Sequence, residues 1–218
     1  MKKLWICMVV LAAVLTLGAS AALATDVSYW DFGVNAGGDF YYDGDLLPAY
    51  IDTTGFDFTS GLGSISVNFA PGAAGTYGVT AYVNDDLGAD YQDDYGMAVN
   101  SLAAGQSWEV FDTTDGDFYF VRFEGNALNN SAASGPTDIG LALGWDFFLN
   151  SGQSALITFI VSDVAPDGFY LHQFDDCDNI FMYSTLDIQG TNVPAPAAIV
   201  LLGSGLISLA GLRRKARA

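Results

Sequence analysis

The chain has few positive charges. Of its 218 residues only 7 are Lys or Arg, against 25 Asp or Glu, and the formal net charge is −18. A polyanionic partner is held by Lys and Arg, so this balance excludes nucleic acid as an expected ligand. Histidine is scarcer still, with His172 alone. Cysteine is limited to Cys7 and Cys177. One His and one Cys in the body cannot fill a multi-His or multi-Cys zinc site. The 6 prolines and 25 glycines follow no fixed repeat, which excludes collagen. What the chain does have is 51% hydrophobic and 14% aromatic residues. That is enough apolar surface to exclude general disorder and to support one or two domains.

The charges are sorted along the chain. Lys2 and Lys3 open it, and Arg213, Arg214, Lys215 and Arg217 close it. All 25 acids, 23 of them Asp, lie between Asp26 and Asp187. With Arg122 as its one basic residue, the segment from Thr25 to Asn192 carries −24. The reading is therefore three regions: 1–24, 25–192 and 193–218.

Residues 1–24 read as a secretory signal peptide. Lys2 and Lys3 form its positive end and Leu4 to Leu17 an uncharged apolar run. Ala22-Leu23-Ala24 supplies the small-x-small pattern that signal peptidase needs, placing cleavage after Ala24, with Ala19-Ser20-Ala21 as the competing site. An uncleaved N-terminal anchor is the alternative. Cys7 leaves with the signal, so Cys177 is a lone thiol. It is expected to be buried, modified or paired between chains. Its neighbours Asp175, Asp176 and Asp178 disfavour the thiolate.

At the other end, Ala197 to Leu212 is a run of 16 uncharged residues, followed at once by the basic cluster Arg213, Arg214, Lys215 and Arg217. With Ala195 and Pro196 the run reaches the ~17 residues that a spanning helix needs. The cluster acts as a stop-transfer signal that stays cytoplasmic. A buried core helix is the alternative. The order of Val193-Pro194-Ala195-Pro196, then Leu202-Gly203-Ser204-Gly205-Leu206 within the apolar run, then Gly211-Leu212 and the basic cluster resembles the PEP-CTERM sorting signal of Gram-negative bacteria. The resemblance covers residues 193–217. Where that motif typically carries Glu between its prolines, this chain carries Ala195. The resemblance implies an exosortase as processing partner. It also implies a precursor anchored in the inner membrane, and a mature protein at the cell surface or in the exopolysaccharide matrix.

The body reads as all-β. Ile139, Leu141, Leu143, Trp145, Phe147 and Leu149 alternate with smaller or polar residues, a period of two that predicts a strand. Asn150-Ser151-Gly152-Gln153 predicts a turn, and Ala155 to Val161, apolar on both faces, a central strand. Ser64 to Phe69 and Tyr77 to Val83 flank Pro71-Gly72-Ala73-Ala74-Gly75 and predict a hairpin. Trp108 to Phe111, Phe118 to Phe123, Phe169 to Phe174 and Ile180 to Ile188 are further expected strands. Short strands between Gly, Asp and Asn turns point to a β-sandwich or jelly roll. Gly61-Leu62-Gly63-Ser64-Ile65, Gly105-Gln106-Ser107-Trp108-Glu109, Leu143-Gly144-Trp145-Asp146-Phe147 and Gly168-Phe169-Tyr170-Leu171 resemble a body type recurrent among PEP-CTERM proteins, which implies no activity.

Four acidic clusters stand out: Asp39, Asp43 and Asp45; Asp85, Asp86, Asp90, Asp93 and Asp94; Asp112, Asp115 and Asp117; and Asp175, Asp176 and Asp178. Calcium takes six to eight oxygens, and three carboxylates around Gly116 make Asp112, Asp115 and Asp117 the first candidates to bind it. None has EF-hand spacing, and Asp is also a turn former. A lone strand His172 without a G-x-S-x-G elbow in the body gives no Ser–His–Asp machinery. The expectation is a non-catalytic structural or interaction protein. A calcium-dependent carbohydrate-binding module is the alternative, with surface polysaccharide as partner and aromatics such as Tyr41, Tyr42, Tyr91, Tyr95, Trp108, Tyr119 and Trp145 available for stacking. A carboxylate-based hydrolase comes third.

Overall fold

A computed structural model of the chain describes residues 27–88 and 92–190. The expected signal peptide, the Val193–Pro196 motif, the 197–212 span and the terminal basic cluster lie outside the described residues. Among the described residues no helix is long and apolar enough to cross a membrane.

The described chain is all-β, as its sequence pattern predicts. Twelve strands follow in order: β1 (Val27–Ala36), β2 (Asp39–Tyr42), β3 (Ile51–Phe56), β4 (Gly63–Phe69), β5 (Gly75–Leu87), β6 (Tyr95–Val99), β7 (Gln106–Asp112), β8 (Ser131–Ala132), β9 (Ile139–Leu149), β10 (Gln153–Ser162), β11 (Tyr170–Phe174) and β12 (Asn179–Gly190). They form two six-stranded sheets, ordered β2-β1-β5-β9-β7-β8 and β3-β4-β10-β12-β11-β6. Pairing is antiparallel except for the short parallel β7–β8 contact.

One apolar core joins the inner faces of both sheets. The alternating residues of β9 from Ile139 to Leu149 all enter it, and they meet Ile157, Phe159 and Val161 of β10 and Ile180 and Met182 of β12 there. β10 does lie centrally, between β4 and β12, with Ala155 to Val161 alternating buried and half-buried. Polar links also cross between the sheets: Trp145 Nε1 and Gln106 Nε2 donate to Ser184 Oγ at 2.9 Å and 3.2 Å, and Gln173 Nε2 donates to Asp85 O at 2.6 Å.

Two local expectations are corrected. Ser64–Phe69 and Tyr77–Val83 do not form a hairpin. The Pro71–Gly75 connection carries the chain from one sheet to the other, so β4 pairs with β3 and β10 while β5 pairs with β1 and β9. Loop length alone does not tell a hairpin from a crossover between stacked sheets. Phe118–Phe123 is not a strand but a π-helical segment, with Glu124 N donating to Tyr119 O and Ala127 N to Arg122 O. Its spacing explains the change. Phe118 and Phe123, five residues apart, come to one face under i→i+5 bonding, and both are fully buried.

They are buried on the outer face of the first sheet. Tyr82, Phe111, Phe118, Phe123, Leu128 and Ala142 make a second, smaller core there. The sheet surface beneath is built from small residues. A Cβ at Gly33 would collide with the Tyr82 and Phe123 rings, and one at Gly140 with the Phe111 ring. Phe111 stacks on Phe118 at 3.4 Å between centroids, and Tyr82 meets Phe123 edge-on at 4.9 Å. Asn35 ties the segment down, its Nδ2 donating to Phe123 O at 2.7 Å and Glu124 O at 2.9 Å.

Candidate functional site: an acidic pocket on the outer face

The site starts from an irregularity in β1. Tyr29 pairs with Asp85 of β5 and Asp31 with Asn84, so Trp30 is an extra residue in the ladder. Such a bulge re-aims the side chain it carries. Trp30 is 69% exposed, an unusual position for the largest apolar side chain. It stands on a cavity of about 320 Å³. Asp31, Asn84 and Asp86 line it from the strands, Thr113 and Tyr119 from the β7–helix stretch, and Asp138 from the residue just before β9.

The lining is rich in acceptors. Asp31 Oδ2 accepts the Tyr82 hydroxyl at 2.7 Å. Asn84 is only 3% exposed, yet its Oδ1 has no hydrogen-bond partner among the described residues. Asp138 Oδ1 is likewise buried and unpartnered. A buried acceptor without a donor is costly, on the order of 1–3 kcal/mol. Burial raises the carboxyls of Asp31, Asp86 and Asp138, and the charge of Asp138 pushes Asp86 up further. Burial also pushes the Tyr119 hydroxyl up to about 12. No basic residue among the described residues lines this cavity.

The one basic side chain among the described residues is spent elsewhere. Arg122 Nε lies 2.7 Å from Glu109 Oε1, and its Nη2 lies 2.7 Å from Asp115 Oδ2. A neighbouring cavity of about 330 Å³ contains these three residues. Its principal charges already face one another.

The sequence-selected carboxylates are placed as follows. Asp112 Oδ1 accepts from Thr114 N at 2.8 Å and Thr114 Oγ1 at 2.6 Å, and its Oδ2 accepts from Thr137 at 3.1 Å. Asp115 Oδ1 accepts from Asp117 N at 3.0 Å. Thr114 and Arg122 respectively are the leading causes that hold Asp112 and Asp115 below the usual carboxylate range. The loop is thus a series of Asp-capped turns leading into the helical segment. Among the described residues no group of three His, Cys, Asp or Glu stands close enough to hold a metal ion. Asp175 caps a turn of the same kind, accepting from Cys177 N and Asp178 N, and Cys177 is exposed and free. His172 stacks on Phe181 at 4.6 Å. Asp90 and Tyr91 lie outside the described residues.

Sequence reasoning named Asp86 and Tyr119 but not Trp30, Asp31, Asn84, Thr113 or Asp138. The available signal was indirect: Gly33 of β1 and Gly140 and Gly144 of β9 lie on one face of the strands that flank β5, which marks a covered outer surface. No protein-family model, curated protein or solved structure matches the chain.

Proposed function

We propose that the chain is an exported, non-catalytic interaction protein of the cell surface or exopolysaccharide matrix, and that its acidic pocket receives surface polysaccharide. The observation that carries the binding part is Trp30, an exposed indole beside a cavity walled by Asp, Asn, Thr and Tyr. Sugar rings take this combination: an aromatic face for the C–H surface, and fixed polar groups for the hydroxyls. The two facing sheets supply a sandwich-like scaffold for such a site on an outer sheet face. Export, signal-peptidase cleavage and exosortase sorting rest on residues 1–24 and on the PEP-CTERM-like order of residues 193–217.

Calcium-dependent binding is the second reading: Asp31, Asp86 and Asp138 line one cavity with no basic residue among its described lining. These carboxylates do not by themselves form a three-ligand group, so calcium would need ligand oxygens beyond them. One experiment separates the readings. The protein, expressed with its own signal and tail, is sedimented with isolated matrix polysaccharide, with calcium and with chelator. Retention in both, reduced at least tenfold in Trp30→Ala, supports the proposal. Retention lost in chelator favours the calcium reading, and release of reducing ends contradicts a non-catalytic role. Deletion of 193–218 should release the body into the medium, and continued surface retention of that variant would overturn the sorting part.

A further inference from the structure

Resting on that reading of the pocket, we infer that its ligand is an amino sugar with a free, protonated amine, a glucosamine-type unit rather than a neutral or N-acetylated one. Three observations carry this. First, the cavity is an acceptor site. Asp31, Asp86 and Asp138 contribute carboxylates, and Asn84 and Asp138 contribute buried oxygens with no donor among the described residues. A ligand that satisfies them must bring N–H or O–H donors, and one that offsets the carboxylates must bring positive charge.

Second, no described residue supplies such a charge here. Arg122, the one cation among the described residues, is held by Glu109 and Asp115 beside the other cavity. A half-buried carboxylate cluster with no counter-ion among the described residues favours a cation from outside.

Third, size and walls select an organic cation on a ring. The carboxylates do not converge into a three-ligand metal group. About 320 Å³ lies at the lower end of ligand pockets, room for a monosaccharide rather than a bare ion. Trp30 and Tyr119 are the aromatic walls, on which a ring can stack and toward which an ammonium is drawn. An acetylated nitrogen would forfeit the charge and place a carbonyl acceptor among acceptors.

The test is titration calorimetry of the purified protein with fully deacetylated glucosamine oligomers, with N-acetylated oligomers of the same length, and with spermidine. The expected result is binding of the deacetylated oligomer at least tenfold tighter than either other ligand. Asp86→Asn and Asp138→Asn, near-isosteric changes, should each weaken it about tenfold and leave the unfolding temperature within a few degrees. Equal binding of the acetylated oligomer overturns the amine specificity while the polysaccharide reading stands. Spermidine binding as tightly overturns the sugar part. If neither oligomer nor matrix polysaccharide binds, the reading of the pocket falls with the inference.

Discussion

Tyr82 and Asp31 join the covered outer face of the first sheet to its acidic pocket: the Tyr82 hydroxyl donates to Asp31 Oδ2 at 2.7 Å. The Tyr82 ring is packed edge-on against Phe111, Phe118 and Phe123, so Asp31 is oriented by an immobile donor. Tyr82→Phe keeps the ring and removes the donor. It should lower stability by about 1–3 kcal/mol in urea denaturation and weaken saccharide binding, with both effects traceable to one oxygen.

Asn35 is the matching anchor at the far end of the helical segment. Asn35→Ala leaves the Phe123 and Glu124 carbonyls without this donor. A loss of about 1–3 kcal/mol is expected, together with faster hydrogen exchange at amides of residues 118–127. Unchanged exchange there would contradict the anchoring role.

Arg122 neutralises Glu109, which is almost fully buried. Removing one partner of such a pair leaves an uncompensated charge, so Arg122→Ala should cost about 3 kcal/mol. Adding Glu109→Gln should recover much of it, a coupling that a double-mutant cycle measures directly.

Two carboxyls between the sheets govern the pH dependence. Asp94 is 1% exposed and accepts from Gln173 Nε2 at 2.7 Å, while Asp85 is fully buried with both carboxyl oxygens unpartnered among the described residues. Burial pushes Asp94 from 3.8 up to about 7 and raises Asp85 well above its ordinary range. A carboxyl with a raised native value gives a contribution that is full below its unfolded value of 3.8 and is lost as pH rises through about 7. Stability should therefore fall between pH 4 and pH 8 by at least ~1.4 kcal/mol, the equivalent of one pKa unit. Asp94→Asn should flatten that slope. Asp112 and Asp115, held low, contribute stability above their ordinary range that is lost only in stronger acid.

The fold was legible where a single period ran long. In β9 the alternation from Ile139 to Leu149 marked both the strand and its buried face, because every large residue enters one core. β1 was not legible. Its bulge at Trp30 breaks the period of two just where the site begins. Phe118–Phe123 carried strand-forming aromatics and valine, but packing of Phe118 and Phe123 onto Tyr82 outweighed that preference and drew the segment into a π-helix. The Pro71–Gly75 turn signal was sound as a turn and silent about which sheet came next. The pocket was least legible, since its residues run from Trp30 to Asp138 and only the pairing of β1, β5 and β9 brings them to one surface. The acidic spacing drew attention to Asp112, Asp115 and Asp117, of which Asp112 and Asp115 accept backbone hydrogen bonds in the turns before the helical segment.

The most direct test of the binding claim is the nitrogen–proton NMR spectrum of labelled protein titrated with matrix polysaccharide fragments. The indole N–H of Trp30 and the side-chain amide of Asn84 should shift. The Trp145 indole, buried and donating to Ser184, should stay in place and serve as the internal control. Shifts confined to residues away from the pocket, or none at saturating saccharide, would contradict it.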